Sequence, residues 1–147
     1  MYKNFNLKNM TIEQKQQEII DEFEVFEDWM DKYEHIIEIG KSIPIISKKN
    51  KTNERLIEGC QSKVWLHMEL INGKISLTAD SDAIITKGII GLLIRVMNNE
   101  AAEVIAKNDL RFINEIGLQE HLSPTRANGL ANMVKQIKLY AIKIITE

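Results

Sequence analysis

The sequence predicts an α+β fold, a small antiparallel sheet of about three strands packed in two layers with helices before and after it. Three observations carry this. Apolar residues recur at helical spacing from Thr11 onward. They change to strict alternation between Val64 and Ala79, around an Asn72-Gly73 dipeptide. They return to helical spacing from Ile84 to the end of the chain.

The first helix opens at Thr11, where Gln14 three residues on completes a capping-box pattern. Ile12, Ile19, Phe23, Phe26 and Met30 then follow at helical spacing. Asp28 is a cap for a second helix carrying Trp29, Tyr33, Ile36 and Ile37. Gly40 falls where a C-terminal cap is expected, with Pro44 shortly after. Residues 47–55 are polar and read as an exposed loop. Its lysines either face solvent, the commoner outcome for a charge run, or meet an acidic partner.

Val64, Leu66, Met68 and Leu70 alternate with Trp65, His67 and Glu69, which makes a strand with one apolar face. Asn72-Gly73 turns it back, and Ile75, Leu77 and Ala79 form the returning strand. A hairpin alone is marginal, so a third strand is expected, placed near Arg55 to Glu58. Asp80-Ser81-Asp82 supplies N-cap candidates for an apolar helix from Ile84 to Met97. Gly88 and Gly91 inside that helix are costly and imply close packing against another element. Short helices follow at 100–107 and 109–116, with Gly117 as a stop. The last helix has Ser123 as its N-cap and Pro124 as its first residue. Ala127, Leu130, Val134, Ile137, Ala141 and Ile144 form one face of it.

No internal repeat, low-complexity tract or linker interrupts this plan. Residues 10–147 therefore read as one domain, and 1–9 as a flexible N-terminal extension. A chain of 147 residues can bury a core without disulfides or a structural metal. Its 19 basic and 21 acidic side chains, a net charge of -2, give no argument for a nucleic-acid partner. No apolar stretch approaches the roughly 20 residues that span a bilayer. Met1 to Asn9 has no apolar core of the kind a signal peptide needs, so a cytoplasmic location is expected.

The chain has one cysteine, Cys60, which excludes an internal disulfide and any dithiol mechanism within one chain. It stands in Gly59-Cys60-Gln61-Ser62, just before the first strand. Gly59 admits backbone angles closed to other residues and can present the next side chain at a loop tip. A thiol there is a candidate nucleophile. Out of context a lone cysteine is more often a small buried hydrophobe.

The context favours the nucleophile. Gly59-Cys60-Gln61-Ser62-Lys63-Val64-Trp65 resembles the active-site segment of the SufE family of sulfur acceptors. Three further blocks resemble that family in the same order. The first is Trp29, Lys32-Tyr33, Ile36-Ile37-Glu38, Gly40 and Pro44. The second is Asp80-Ser81-Asp82-Ala83 with Lys87-Gly88. The third is His121-Leu122-Ser123-Pro124-Thr125-Arg126 with Gly129-Leu130. The likeness runs from about Met10 to Ile144, and Gln61-Ser62 with Asp80-Ser81-Asp82-Ala83 fits the SufE branch better than the related CsdE branch.

The resemblance implies a two-layer fold shared with iron–sulfur scaffold proteins, and a carrier rather than a free-standing enzyme. It implies that Cys60 takes a sulfane sulfur from a SufS-type, pyridoxal-phosphate cysteine desulfurase, stimulates that enzyme, and delivers the sulfur to a SufBCD-type scaffold complex. No cofactor or metal of its own is implied, only a transient persulfide on Cys60. Two rivals follow from the residues themselves. A cluster scaffold needs several thiolate ligands, and a thiol redox sensor needs a low-pKa, accessible cysteine.

Supporting residues are weighed one by one. Arg126, in the first turn of the last helix, either stabilises the thiolate or its loop, or pairs with Asp80 or Asp82. Asp80 and Asp82 read as N-caps more readily than as an acid–base pair. Trp65 either covers the cysteine loop or fills the core, and with Val64 and the helix after Asp82 it could line a shelter for the thiol. His121 is expected to order its loop by a hydrogen bond. His35, His67 and His121 lack metal-ligand spacing.

Overall fold

The computed structural model describes residues 10–147, so the expectation of a mobile extension at 1–9 lies outside the described residues. Thr11 and Gln14 do form the reciprocal cap. The Gln14 N–H donates to Thr11 Oγ1 at 3.1 Å, and Gln14 Oε1 accepts from the Thr11 N–H at 2.8 Å. Helix α1 (Ile12–Glu24) buries Ile12, Ile19, Ile20 and Phe23 but stops before Phe26. The apolar spacing therefore overruns the helix. Val25 and Met30 stand 74% and 69% exposed, because the chain breaks there and restarts at Asp28, whose side chain accepts from the Asp31 N–H.

Helix α2 (Trp29–Gly40) does not use Gly40 as a left-handed stop. Gly40 is its last helical residue, and Lys41 after it is still right-handed. The glycine serves packing instead. A β-carbon on Gly40 would lie 2.8 Å from the backbone nitrogen of Gly88.

Strands β1 (Val64–Ile71) and β2 (Lys74–Ser81) pair antiparallel, from Val64 opposite Ser81 to Ile71 opposite Lys74. Asn72 and Gly73 form the two-residue turn at φ 53° and 81°, the positive pair a tight hairpin requires. The inward row holds Val64, Leu66, Ile75, Leu77 and Ala79, all at most 4% exposed.

The expected third strand is not there; the sheet has two strands among the described residues. Residues 53–55 form a 3₁₀ turn and Gly59 turns the chain again, which leaves too short a run for a ladder. Leu56 makes a single bridge to Trp65, backed by the Ile57 N–H donating to the Val64 carbonyl at 2.8 Å. Single bridges from Ile45 to Ala79 and from Glu100 to Ile75 hold the edge of β2.

Helix α3 (Ile84–Met97) is the hub of the fold. It packs against β2, α1 and α2 and against the last helix, and seven of its apolar side chains and two of its glycines, Gly88 and Gly91, frame the centre of the core. The close packing expected at these glycines is present, Gly88 against Ile36 and Gly91 against Ile39 and Ile43. Two short helices follow, α4 (Ala102–Lys107) and α5 (Phe112–Glu115), separated by Leu110 at φ 53°. Helix α6 (Pro124–Thr146) starts as expected, with Ser123 Oγ accepting from the Arg126 N–H, and buries Gly129, Leu130, Met133, Ile137 and Ala141. Among the described residues no helix is long and apolar enough to cross a membrane.

Candidate functional site

Cys60 lies in a loop, residues 58–63, closed at its base by the Ile57–Val64 hydrogen bond. Each limb is tied to a different element. On the strand side, the end of β2 grips Lys63: Ser81 Oγ donates to the Lys63 carbonyl at 2.8 Å, and the Lys63 N–H donates to Asp82 Oδ1 at 3.0 Å. On the other side, Asn132 Nδ2 of α6 donates to the Glu58 carbonyl at 2.8 Å. Gly59 between them has φ 83°, in the left-handed region that favours glycine. A β-carbon there would also fall 2.0 Å from Asn132 Nδ2.

The Cys60 side chain lies on Gly129, so close that a β-carbon on the glycine would sit 3.0 Å from Sγ. The thiol is half-buried, and burial pushes its pKa up. It borders a small open pocket. The loop contributes Gln61 and Ser62, α3 contributes Thr86 and Ile89, and α6 contributes Thr125, Arg126, Gly129 and Met133. Arg126, Gly129 and Met133 recur every three or four residues, which puts them on one face of α6. The floor is apolar, with Ile89 and Met133 each 1% exposed, and the rim is polar and carries the Arg126 cation.

Several residues singled out from the sequence lie elsewhere. The ion pair expected between Arg126 and Asp80 or Asp82 does not form. Asp80 is held instead by Lys51 at 2.8 Å and Lys87 at 3.4 Å. Burial alone would raise the Asp80 carboxyl, but Lys51, the Ser81 N–H and Lys87 outweigh it and hold it below the usual range. Neither aspartate caps α3. The N-cap is Ala83, with no side-chain cap bond, because the Asp82 carboxylate is taken by Lys63 and Asp80 Oδ1 by the Ser81 N–H. Trp65 is not among the residues lining the pocket. It points to the outer face of β1, with Lys51 Nζ 4.5 Å from its ring centre.

His121 belongs to a 3₁₀ turn just before α6. Its Nδ1 lies 2.8 Å from the Gly117 carbonyl, its ring stacks on Trp29 at 4.0 Å, and its own carbonyl accepts from the Tyr33 hydroxyl. It orders the approach to α6 rather than reaching the pocket. His67 accepts at Nδ1 from Arg55 Nε, and His35 meets Glu22. Among the described residues no group of three or more His, Cys, Asp or Glu side chains is placed to hold a metal.

Sequence reasoning expected the helix after Asp82 to line the thiol, as Thr86 and Ile89 of α3 do, but missed Asn132 and Met133. A signal for the α6 set was present: a glycine inside a long helix, with Arg126 three residues before it and Met133 four after, marks a face that receives another segment.

The arrangement defines a small α+β protein built around a single loop thiol. The chain belongs to the SufE family: the family described as "SufE: Fe-S metabolism associated domain" matches residues 17–141, and so associates the protein with iron–sulfur metabolism. It is 35% identical over 126 residues to an uncharacterized SufE-like protein of Rhizobium meliloti, covering 82% of this chain and 90% of that one. A SufE-like protein of Synechocystis is 31% identical over 142 residues, with 97% and 89% covered. The fold is like that of a solution structure of a hypothetical protein from Thermus thermophilus, with a TM-score of 0.74 at 20% identity over 90% of this chain and 97% of that one.

Proposed function

We propose that this protein is a persulfide carrier: Cys60 takes the terminal sulfur of a persulfide on a cysteine desulfurase and so speeds that enzyme's turnover. The carrying observation is one thiol, set on a loop that is tied at both limbs and half-sheltered against Gly129 beside the Arg126 cation. In the transfer, the Cys60 thiolate attacks the outer, sulfane sulfur of the donor persulfide. A sulfur–sulfur bond forms on Cys60, the donor's sulfur–sulfur bond breaks, and the donor cysteine leaves as a thiolate. The proton lost from Cys60 balances the one the donor thiolate regains, and no external oxidant is consumed.

The residues fit that chemistry in both its states. At rest, burial disfavours the thiolate and slows stray reactions. Once the loop meets a partner, Arg126 and the first turn of α6 supply positive charge at the mouth of the same pocket. A raised thiol pKa also argues against a peroxide sensor, which works through a thiolate already formed. Delivery would then go to a SufBCD-type scaffold complex through a second exchange of the same kind. Incubation with a cysteine desulfurase and cysteine, followed by intact-mass measurement, tests the reading. One added sulfur atom, absent from Cys60→Ser, is expected; an unchanged mass beside an actively turning-over desulfurase would overturn it.

A further inference from the structure

We propose that Asn132 is a positioning residue for Cys60: its side-chain amide, bonded to the Glu58 carbonyl, latches the thiol loop onto α6 and must release it for the thiol to meet a partner. This rests on the reading of Cys60 as the sulfur acceptor and adds how its exposure is controlled.

The two limbs of the loop are held unequally. The strand-side limb has two hydrogen bonds at Lys63, in line with the β1–β2 ladder. Below it the Ile57–Val64 bond closes the base. The other limb has the single Asn132–Glu58 bond, at the surface. Gly59 follows that bond directly, and with no side chain it can swing through a wide range of backbone angles once Glu58 is free. Freed there, Cys60 lifts off Gly129 while Lys63, Val64 and the sheet stay in place.

The geometry also explains why the latch sits so close. Asn132 Nδ2 occupies the space where any other residue at 59 would put its β-carbon, 2.0 Å away. The amide lies one helical turn beyond Gly129, so one face of α6 both receives the sulfur atom and holds the loop that carries it. A single exposed hydrogen bond suits a latch. It biases a two-state equilibrium by about fivefold, enough to favour shelter and little enough for partner contacts to reverse.

The test is alkylation of the full-length protein by iodoacetamide, followed by mass across a range of pH. The single cysteine makes the reading unambiguous. Asn132→Ala and Asn132→Leu both lose the donor, and leucine keeps the side chain's bulk. Both should react about fivefold faster than wild type near neutral pH. Both should also move the midpoint of the rate–pH profile down, toward that of a short cysteine peptide, while circular dichroism and melting stay like wild type. A wild-type rate and midpoint in Asn132→Ala would overturn the latch. So would a fast Asn132→Ala beside an unchanged Asn132→Leu, which would place the effect in packing rather than in the hydrogen bond. Alkylation needs no sulfur donor. A protein whose loop behaves as stated but never gains sulfur would therefore overturn the acceptor reading alone.

Discussion

Gly88 of α3 lies directly against the Ile36 carbonyl of α2, where a β-carbon would stand only 2.2 Å from the oxygen. The two helices therefore touch backbone to backbone, and Gly40 faces Gly88 across the same contact. Since α3 also carries Thr86 and Ile89 in the wall of the Cys60 pocket, this contact sets where that wall stands. Gly88→Ala should force the helices apart and cost about 1–3 kcal/mol, the usual scale of overpacking. Urea unfolding measures it, and a stability within about 0.5 kcal/mol of wild type would contradict the packing account.

Cys60→Ser should keep the fold and lose both sulfur uptake and stimulation of a desulfurase. The side chain it replaces is small and half-buried, so little packing is lost. Coupled turnover assays with matched melting curves test the pair of claims. Full stimulation by the serine variant would sink the carrier mechanism.

The shelter around the thiol should depend on Met133 and not on Trp65. Met133 is 1% exposed and lines the pocket, whereas Trp65 faces outward beneath Lys51. Met133→Ala should speed alkylation of Cys60 and cost about 2–5 kcal/mol of stability. Trp65→Ala should leave the alkylation rate within about twofold of wild type, the effect of a few tenths of a kcal/mol. Faster alkylation in the tryptophan variant would restore the shelter expected from the sequence.

Acid should weaken the α1–α3 junction through Glu22. Burial by itself would raise this carboxyl, but hydrogen bonds from Arg95 and His35, and their charge, bring it down from 4.5 to about 2. The folded value is depressed, so its contribution is full above pH 4.5 and is lost as pH falls toward 2. With the side chain 20% exposed, solvent screening leaves a contribution of about 2 kcal/mol. Stability followed from pH 5 to pH 2 should fall less steeply in Glu22→Gln than in wild type, and equal slopes would refute the assignment.

Features decided within a few residues could be read from the sequence. Thr11, Asp28 and Ser123 cap their helices, and Asn72-Gly73 turns the hairpin, because each depends on partners at most three residues away. What depended on distant partners could not. Gly40 has the composition of a helix stop, yet Gly88 decides its role. Asp82 has the composition of a cap, yet Lys63 claims it from 19 residues away. Leu56 has strand character, but flanking turns limit it to one bridge. Cys60 could be singled out as a candidate because its sequence context is distinctive. Asn132 was not, since its partner Glu58 lies 74 residues back along the chain.

The Asn72-Gly73 turn closes the end of the hairpin away from Cys60. Eight residues of β1, roughly 26 Å of extended chain, separate the two ends. A β-carbon on Gly73 would meet nothing within 4 Å, and Glu69 to Lys74 are all exposed. This tip is therefore a natural splice point for an affinity tag or a fluorescent reporter. Cargo inserted there would ride on the far side of the molecule, leaving the thiol loop and the α6 face free to engage another protein.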